Sequence, residues 1–412
     1  MVFHFSSGIR SKWTRITEYD KKHPVVLILL IVIPVLLWFG YINIINWTDG
    51  SISNGIPGLK YWLDSERYID GATSIAHGMP LQGRELQFTG YMLLIAVVQS
   101  LHLSLSVMAG IQIAVALLAA LALYNSCWLL TRSRIAGLFA ATLFLCNPFI
   151  ARWHIYLMTE SLYTSLVVLC LWSLLRLLKR KKTVDYIVSA IFLICAMFVR
   201  PNGWIMLPVF FIVYLYSFNL RKWVFIISVF ATIAVFTLTM AKVPVFRSSV
   251  QITTPVENLQ KGITVWGHGE LSLKMPQDKD IDKTQWTSGW KYIARHPWVS
   301  FKLAAARAGY SLIHIRPYHS TAYTWHVALW VFPAYLLALI AFIGYRRKTA
   351  VYVALMIILG HLLVVALSYA EHDSRFDIYI LPVFYIFAGL GLLELLKKVS
   401  SLISPKVDQA KL

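Results

Sequence analysis

Long apolar segments recur along the chain and alternate with short polar loops. Several of them, such as residues 25–47, approach the ~20 residues that a membrane-spanning helix needs. A bilayer offers no partner to exposed backbone groups, so such segments cross it as helices. The pattern predicts an all-α polytopic membrane protein with roughly 10 to 11 transmembrane or re-entrant helices. The predicted segments are 25–47, 86–102, 104–131, 135–150, 157–178, 184–200, 203–218, 223–241, 326–345, 350–369 and 378–396.

Basic residues cluster in short loops between these segments, and cytoplasmic loops are typically the ones enriched in lysine and arginine. Segment 86–102 contains Gln87 and Gln99, and we expect it not to cross the membrane fully. Every basic loop then falls on the cytoplasmic side, and both termini are predicted to be cytoplasmic. The basic groups lie at residues 132–134, 176–182, 221–222, 346–348 and 397–398.

The same topology predicts three parts of the chain. Residues 1–241 form an N-terminal transmembrane module whose first outer loop spans 48–85. Residues 242–325 form an outer-side segment with amphipathic helices, and residues 326–412 form C-terminal transmembrane helices with a cytoplasmic tail. The first apolar segment is long and lacks a cleavage motif after it, so it is interpreted as a retained helix. The predicted location is the inner (plasma) membrane, with the site facing the periplasm or exterior.

Composition excludes a soluble domain, because 58% of the 412 residues are hydrophobic and only 14% are charged. The net charge of +19 is distributed in membrane-flanking loops, which indicates contact with anionic membrane lipids and not with nucleic acid. The four cysteines all lie inside apolar segments, so no disulfide framework is expected.

Asp64 opens the charged stretch Asp64-Ser-Glu66-Arg67-Tyr68 in the first outer loop. A carboxylate beside a membrane-facing cavity can act as a general base if it reaches the proton of an acceptor. The alternative is a helix N-cap, since an aspartate before a first turn carrying an acid is also a good capping arrangement. Spacing alone leaves both interpretations open.

Glu160 and Arg200 are charged residues at the ends of apolar segments on the predicted outer side. A carboxylate at the start of a transmembrane helix is costly unless it is functional or interfacial, although it also interacts favourably with the helix dipole. A guanidinium at position 200 can bind a phosphate or a carboxylate, and it can also reach lipid phosphate by snorkelling.

A dense polar turn, residues 371–377, separates two strongly apolar segments. Arg375 lies close to the membrane boundary, on the side where arginine is not expected. His372 and Asp373 could bind a divalent cation, but no second ligand pair is identifiable. No residue pattern requires a metal, and no cofactor is predicted with certainty.

The order of these features resembles the C-type fold (GT-C) superfamily of membrane glycosyltransferases, and within it the lipid A aminoarabinose transferases and the protein O-mannosyltransferases. The likeness covers the first half of the chain and, loosely, its last helices. The residues that carry it are Asp64-x-x-Arg67-Tyr68, Gly90-Tyr91, Asn147-Pro148, Glu160, Arg200-Pro201 and Arg375-Phe376.

The resemblance implies transfer of a sugar from a polyprenyl-phosphate donor to a glycan, lipid or protein acceptor on the outer side of the membrane. It implies that Asp64 is the catalytic base and that Glu160 is a second catalytic acid. The aminoarabinose transferases carry a lysine before their Gly-Tyr pair; this chain lacks it, and Arg84 is expected to supply the charge. The predicted substrate-binding residues are Glu66, Arg67, Tyr68, Arg84, Tyr91, Arg200, His372 and Arg375.

Two other functions remain open from the sequence. A transporter or flippase of a lipid-linked sugar would share the membrane and the basic residues, and it would be expected to show related halves and charges in the middle of its helices. A non-catalytic cell-envelope assembly protein would tolerate substitution of its outer-loop acids.

Overall fold

The computed structural model describes most of the chain, and the structural statements below concern those residues. His372 and Asp373 lie outside them, as do most of the predicted segments 25–47 and 223–241. The described residues are 32, 35–41, 59–62, 64–81, 83–218, 227, 231, 255–281, 288–371 and 375–403.

The described residues are mainly helical, as the apolar pattern predicted. The helices are α1 (Ser65–Ala76), α2 (Thr89–Ser100), α3 (Ser106–Thr131), α4 (Arg134–Cys146), α5 (Pro148–Ala151), α6 (Thr159–Arg180), α7 (Thr183–Val199), α8 (Met206–Ser217), α9 (Pro255–Lys261), α10 (Ser288–Arg295), α11 (Pro297–Ile313), α12 (Thr321–Trp330), α13 (Phe332–Gly344), α14 (Thr349–Leu367) and α15 (Leu381–Ile403). Short 3₁₀ turns cover Gly83–Phe88, Arg152–Ile155, Pro201–Ile205, Gly269–Leu271 and Asp377–Tyr379.

Five helical stretches within the described residues are long and apolar enough to span a membrane, which confirms a multi-pass membrane protein. Two of them are the most enclosed: 83% of the apolar window in α6 and 72% of the window in the Asp377–Val399 stretch are buried. These two therefore form the centre of the bundle. The other three are α3, the α12–α13 pair and α14.

Segment 86–102 contributes only the 12-residue helix α2. At 1.5 Å per residue this helix is about 18 Å long, well short of the ~30 Å hydrocarbon core. The length agrees with the prediction that this segment does not cross fully.

Asn147 and Pro148 end α4 and redirect the chain by 52°. The Asn147 side chain caps the following turn by accepting a hydrogen bond from the Phe149 N–H at 2.8 Å. Pro148 has no backbone N–H to continue the helix. The bend sends the chain towards residues 152–158, which precede α6.

Glycines let α15 approach its neighbours at backbone distance. A Cβ atom on Gly391 would lie 1.8 Å from the carbonyl oxygen of Leu337 in α13. One on Gly389 would lie 2.3 Å from the carbonyl oxygen of Ala136 in α4. Both neighbours present backbone, which cannot move aside as a side chain can.

We predict that Gly391→Ala separates α13 from α15 and destabilises the protein by about 1–3 kcal/mol, the usual cost of overpacking. The measurement is the thermal unfolding midpoint of the purified protein in detergent. Gly110→Ala in α3 is the matched control, because nothing lies within 4 Å of its added Cβ. Equal midpoints for Gly391→Ala and wild type would contradict the prediction.

Candidate active site

Backbone and side-chain hydrogen bonds hold the start of α1 against the residues that precede α6. The Ser65 hydroxyl donates to the Leu157 carbonyl at 3.0 Å. The Lys60 N–H donates to the Ile155 carbonyl at 2.8 Å, and the Leu157 N–H donates to the Lys60 carbonyl at 3.0 Å. Asp64, which directly precedes α1, is thereby fixed beside the first turn of α6.

The Asp64 side chain makes no helix-capping hydrogen bond, although the residue occupies the N-cap position of α1. Its carboxylate instead forms ion pairs with Arg67, at 2.9 Å, and with Arg375, at 3.4 Å. The side chain keeps 22% of its surface exposed. The capping alternative therefore does not account for this carboxylate.

Glu160 lies in the first turn of α6 and is fully buried. Its carboxylate accepts a hydrogen bond from Arg200 at 2.8 Å, and Arg200 also donates to the Thr159 hydroxyl. The Arg200 guanidinium lies 5.1 Å from the centre of the Phe376 ring and 5.2 Å from that of Tyr379. The pair thus occupies an enclosed position below the surface that Asp64 reaches.

Arg375 joins the charged residues into one network. It lies 2.9 Å from the Glu371 carboxylate, 3.4 Å from that of Asp64 and 4.0 Å from that of Glu160. Its side chain is 13% exposed, whereas the Glu371 side chain is only 1% exposed. One guanidinium therefore contacts carboxylates from three separate stretches of the chain.

The outer-side segment positions the turn that carries Arg375. The Ala370 N–H donates to the Thr264 carbonyl at 2.9 Å, and the Trp266 N–H donates to the Ala370 carbonyl at 2.8 Å. These bonds form a one-residue parallel bridge between Val265 and Ala370. The end of α14 and the turn after it are thus tied to residues outside the membrane helices.

Arg316, also from the outer-side segment, supports the same turn from within. It donates to the Glu371 carbonyl at 3.3 Å and to the Asp377 carboxylate at 3.1 Å, and its side chain is fully buried. Asp377 also accepts a hydrogen bond from Ser311 at the end of α11. Both flanks of Arg375 are therefore fixed.

Tyr68 and Tyr91, two predicted substrate-binding residues, lie in the packed interior. Burial raises the pKa of the Tyr68 phenol, and the nearby Glu160 carboxylate raises it further. The Tyr68 ring packs against Tyr91 with their centres 5.3 Å apart. The Tyr91 hydroxyl donates to Gln112 of α3 at 3.2 Å. Both rings are almost fully buried, so they support α1 and α2 from behind the site.

Arg84 lies in the 3₁₀ turn before α2. Burial raises the pKa of the Tyr369 phenol, and the carboxylates of Glu371 and Asp64 raise it further. The guanidinium groups of Arg375 and Arg84 lower it. Arg84 therefore acts on the same phenol as Arg375, and its side chain is half-buried.

The remaining predicted substrate-binding residues are Glu66, Arg67 and His372. Glu66 is exposed in the first turn of α1, and Arg67 pairs with Asp64. His372 lies outside the described residues, so its role stays a prediction. Within the described part of the chain, no group of three or more His, Cys, Asp or Glu is placed to hold a metal ion. The divalent cation also stays a prediction.

Sequence reasoning did not assign a site role to Glu371, Thr159 or Tyr369. Glu371 did lie in the dense polar turn that the sequence singled out, residues 371–377. Tyr369 and Thr159 carried no such signal, since only the folded chain shows what they contact.

The described helices form an enclosed bundle with a charged site on the loops at one end. Two solved structures are similar to the chain. One is the archaeal oligosaccharyltransferase AglB of Archaeoglobus fulgidus, in complex with an inhibitory peptide and a dolichol-phosphate. The alignment covers 93% of this chain and 51% of AglB, with 16% sequence identity and a TM-score of 0.52. The other is the apo form of an oligosaccharyltransferase from the same organism. That alignment covers 91% of this chain and 52% of the neighbour, with 13% sequence identity and a TM-score of 0.49.

The chain thus spans about half the length of both neighbours, and at this identity the likeness concerns the fold. No protein-family profile and no curated protein sequence matches the chain.

We predict that Glu160→Gln destabilises the protein by about 3–5 kcal/mol, because it leaves the buried Arg200 without its counter-charge. The readout is the thermal unfolding midpoint in detergent. Glu66→Gln removes an exposed carboxylate nearby and is expected to change the midpoint little. If both variants unfold at the wild-type temperature, the Glu160–Arg200 pair does not have the structural role assigned to it.

Proposed function

We propose that the protein is an integral membrane glycosyltransferase that moves a sugar from a polyprenyl-phosphate donor to an acceptor. The observation that carries this proposal is the accessibility of Asp64 within the charge network. Its side chain is 22% exposed, whereas those of Glu160 and Glu371 are 0% and 1% exposed. A general base must reach a substrate proton, and of these three carboxylates Asp64 is the one that solvent reaches.

In the proposed reaction, Asp64 removes a proton from the acceptor nucleophile. The nucleophile's lone pair forms a bond to the anomeric carbon of the donor sugar while the bond from that carbon to the phosphate oxygen breaks. The electron pair of the broken bond leaves with the polyprenyl phosphate. A single in-line displacement inverts the anomeric configuration.

Arginines near Asp64 supply the charge that a departing phosphate needs. Preorganised cations stabilise negative charge where it develops in the transition state. Arg375 and the half-buried Arg84 are the candidates for direct contact. Arg200 is held by Glu160 and Thr159, and we assign it and Glu160 to positioning.

Arg375 has a second part in this proposal, because it pairs with the Asp64 carboxylate. The donor phosphate is a diester with a single negative charge, like the carboxylate, and it competes for the same guanidinium. Binding of the donor would therefore release Asp64 from Arg375 at the moment when its carboxylate is required as a base.

The lipid tail of the donor needs an apolar surface within the membrane. A groove of about 400 Å³ lies between Val32, Val35 and Leu36 on one side and α3 and α4 on the other, and it is lined almost entirely by apolar side chains. An isoprenoid chain suits such a groove. The dolichol-phosphate bound by the archaeal neighbour supports a lipid-linked phosphate as the donor.

The location follows from the charge pattern of the chain. We propose that the site faces the periplasm or exterior and that both termini are cytoplasmic, because the basic loops then lie inside. The acceptor is a glycan, a lipid or a protein of the cell envelope.

We predict that Asp64→Asn lowers transfer by about 10²–10⁴-fold, the contribution expected of a general base. The assay follows release of free polyprenyl phosphate by mass spectrometry, using nanodiscs that contain the enzyme, a panel of polyprenyl-phosphate sugars and an envelope extract as acceptor. Asp70→Asn, on an exposed position of α1, is the matched control and should retain activity. Full activity in Asp64→Asn would remove Asp64 from the mechanism, and lipid binding without release would favour a transporter.

We predict that Arg84→Gln raises the KM for the donor about tenfold with a smaller effect on kcat. A lost charge-assisted hydrogen bond to phosphate is worth about 1.5–3 kcal/mol, and tenfold corresponds to about 1.4 kcal/mol. Lys302→Gln removes one exposed positive charge from α11 and serves as the control. An unchanged KM in Arg84→Gln would exclude Arg84 from donor binding.

A further inference from the structure

The outer-side segment places an aromatic pair beside the charge network. Trp266 stacks on Tyr369 with ring centres 4.8 Å apart and an interplanar angle of 28°. Trp266 nevertheless keeps 43% of its surface exposed. One face of the indole is therefore covered by Tyr369, while much of the side chain stays accessible to solvent.

Phe376 links this aromatic pair to Arg375 of the proposed donor site. Tyr369 stacks in turn near Phe376, with centres 6.5 Å apart and planes 22° apart. The guanidinium of Arg375 lies 5.6 Å from the Phe376 ring. Trp266 is thus two rings away from an arginine assigned to the donor phosphate. A donor sugar is joined directly to that phosphate, so a ring lying on Trp266 belongs to the acceptor.

Polar side chains follow Trp266 closely in the sequence. His268, two residues after Trp266, hydrogen-bonds the Glu270 carboxylate at 2.6 Å and stacks on Tyr318 with centres 3.6 Å apart. The Glu270 side chain is 64% exposed. A sugar ring has one face of C–H bonds, which packs against the electron-rich face of an aromatic ring. Its hydroxyls need donors and acceptors at the rim, which imidazole, carboxylate and phenol groups provide.

A second exposed tryptophan of the same segment has different surroundings. Trp298 stacks on Phe301 at 5.8 Å, and the Lys302 ammonium lies 5.3 Å from its ring centre. An exposed aromatic pair next to lysine is typical of anchoring at the membrane interface. The charged residue that follows Trp266 in the sequence is instead the exposed Glu270.

From this geometry we infer that Trp266 and Tyr369 form an acceptor subsite that binds the pyranose ring of a glycan acceptor. The inference rests on the proposed glycosyltransferase function and narrows its acceptor to a carbohydrate. It assigns the outer-side segment to acceptor selection, with Trp266 as the residue in contact with the sugar.

The test is saturation-transfer-difference NMR on the full chain in nanodiscs, with methyl β-D-glucopyranoside, methyl α-D-mannopyranoside and methyl β-D-galactopyranoside as probes. Sorbitol is the probe without a ring. We expect transfer to ring C–H protons of at least one pyranoside and none to sorbitol. Trp266→Ala should reduce that transfer at least fivefold, Trp266→Phe should retain most of it, and Trp298→Ala should leave it unchanged.

Several outcomes would overturn the inference: no transfer to any pyranoside, equal transfer in Trp266→Ala, or equal loss in Trp298→Ala. If Trp266→Ala does not fold, Trp266→Gln keeps a side chain without an aromatic face and should show the same loss. Added polyprenyl-phosphate sugar should not displace the pyranoside, and displacement would place the ring in the donor site instead. Because no donor is needed to see binding, this result is separate from polyprenyl-phosphate release, which tests the proposed function.

Discussion

The charges buried around Arg375 constrain the rest of the site. An ion taken out of water loses several kcal/mol of hydration free energy, which a partner restores only at close range and in good geometry. Arg375 finds its partners in Glu371, Asp64 and Glu160, and Glu160 also neutralises Arg200. The start of α1, the start of α6 and the turn before α15 must therefore meet at one point.

Hydrogen bonds from nearby residues hold these three parts of the chain together. Ser65 and Lys60 hold α1 to the residues before α6. Arg316 and the backbone bridge at Ala370 hold the turn that carries Arg375. Of the carboxylates in contact with Arg375, two are enclosed and Asp64 stays accessible. The arrangement keeps one carboxylate accessible to solvent while the enclosed ones keep the arginines in place.

Much of this could be predicted from the sequence where charge contradicted its surroundings. Glu160, Arg200 and Arg375 stood out because a charged residue at the boundary of an apolar segment is costly without a partner. Asp64 stood out as the first residue of a charged stretch in the first outer loop. Their pairing could not be predicted, since Asp64 and Arg375 are 311 residues apart and one sequence holds no information on which distant residues meet.

The position of Tyr91 in the fold also could not be predicted from the sequence. Its Gly-Tyr pattern suggested contact with a substrate, yet the ring packs against Tyr68 and its hydroxyl bonds Gln112 in the interior. Trp266 was not selected from the sequence, because nothing there distinguished it from the other tryptophans of the outer-side segment. Its stacking on Tyr369 is a property of the fold.

The most direct test of this account is the affinity for a polyprenyl monophosphate in nanodiscs, compared between wild type and Asp64→Asn. If a phosphate competes with Asp64 for Arg375, removing the carboxylate's charge frees the guanidinium and removes a repulsion. The account predicts severalfold tighter binding by Asp64→Asn, with Asp70→Asn binding as wild type does. Unchanged or weaker binding by Asp64→Asn would contradict the role given to Arg375 as the group shared between base and donor.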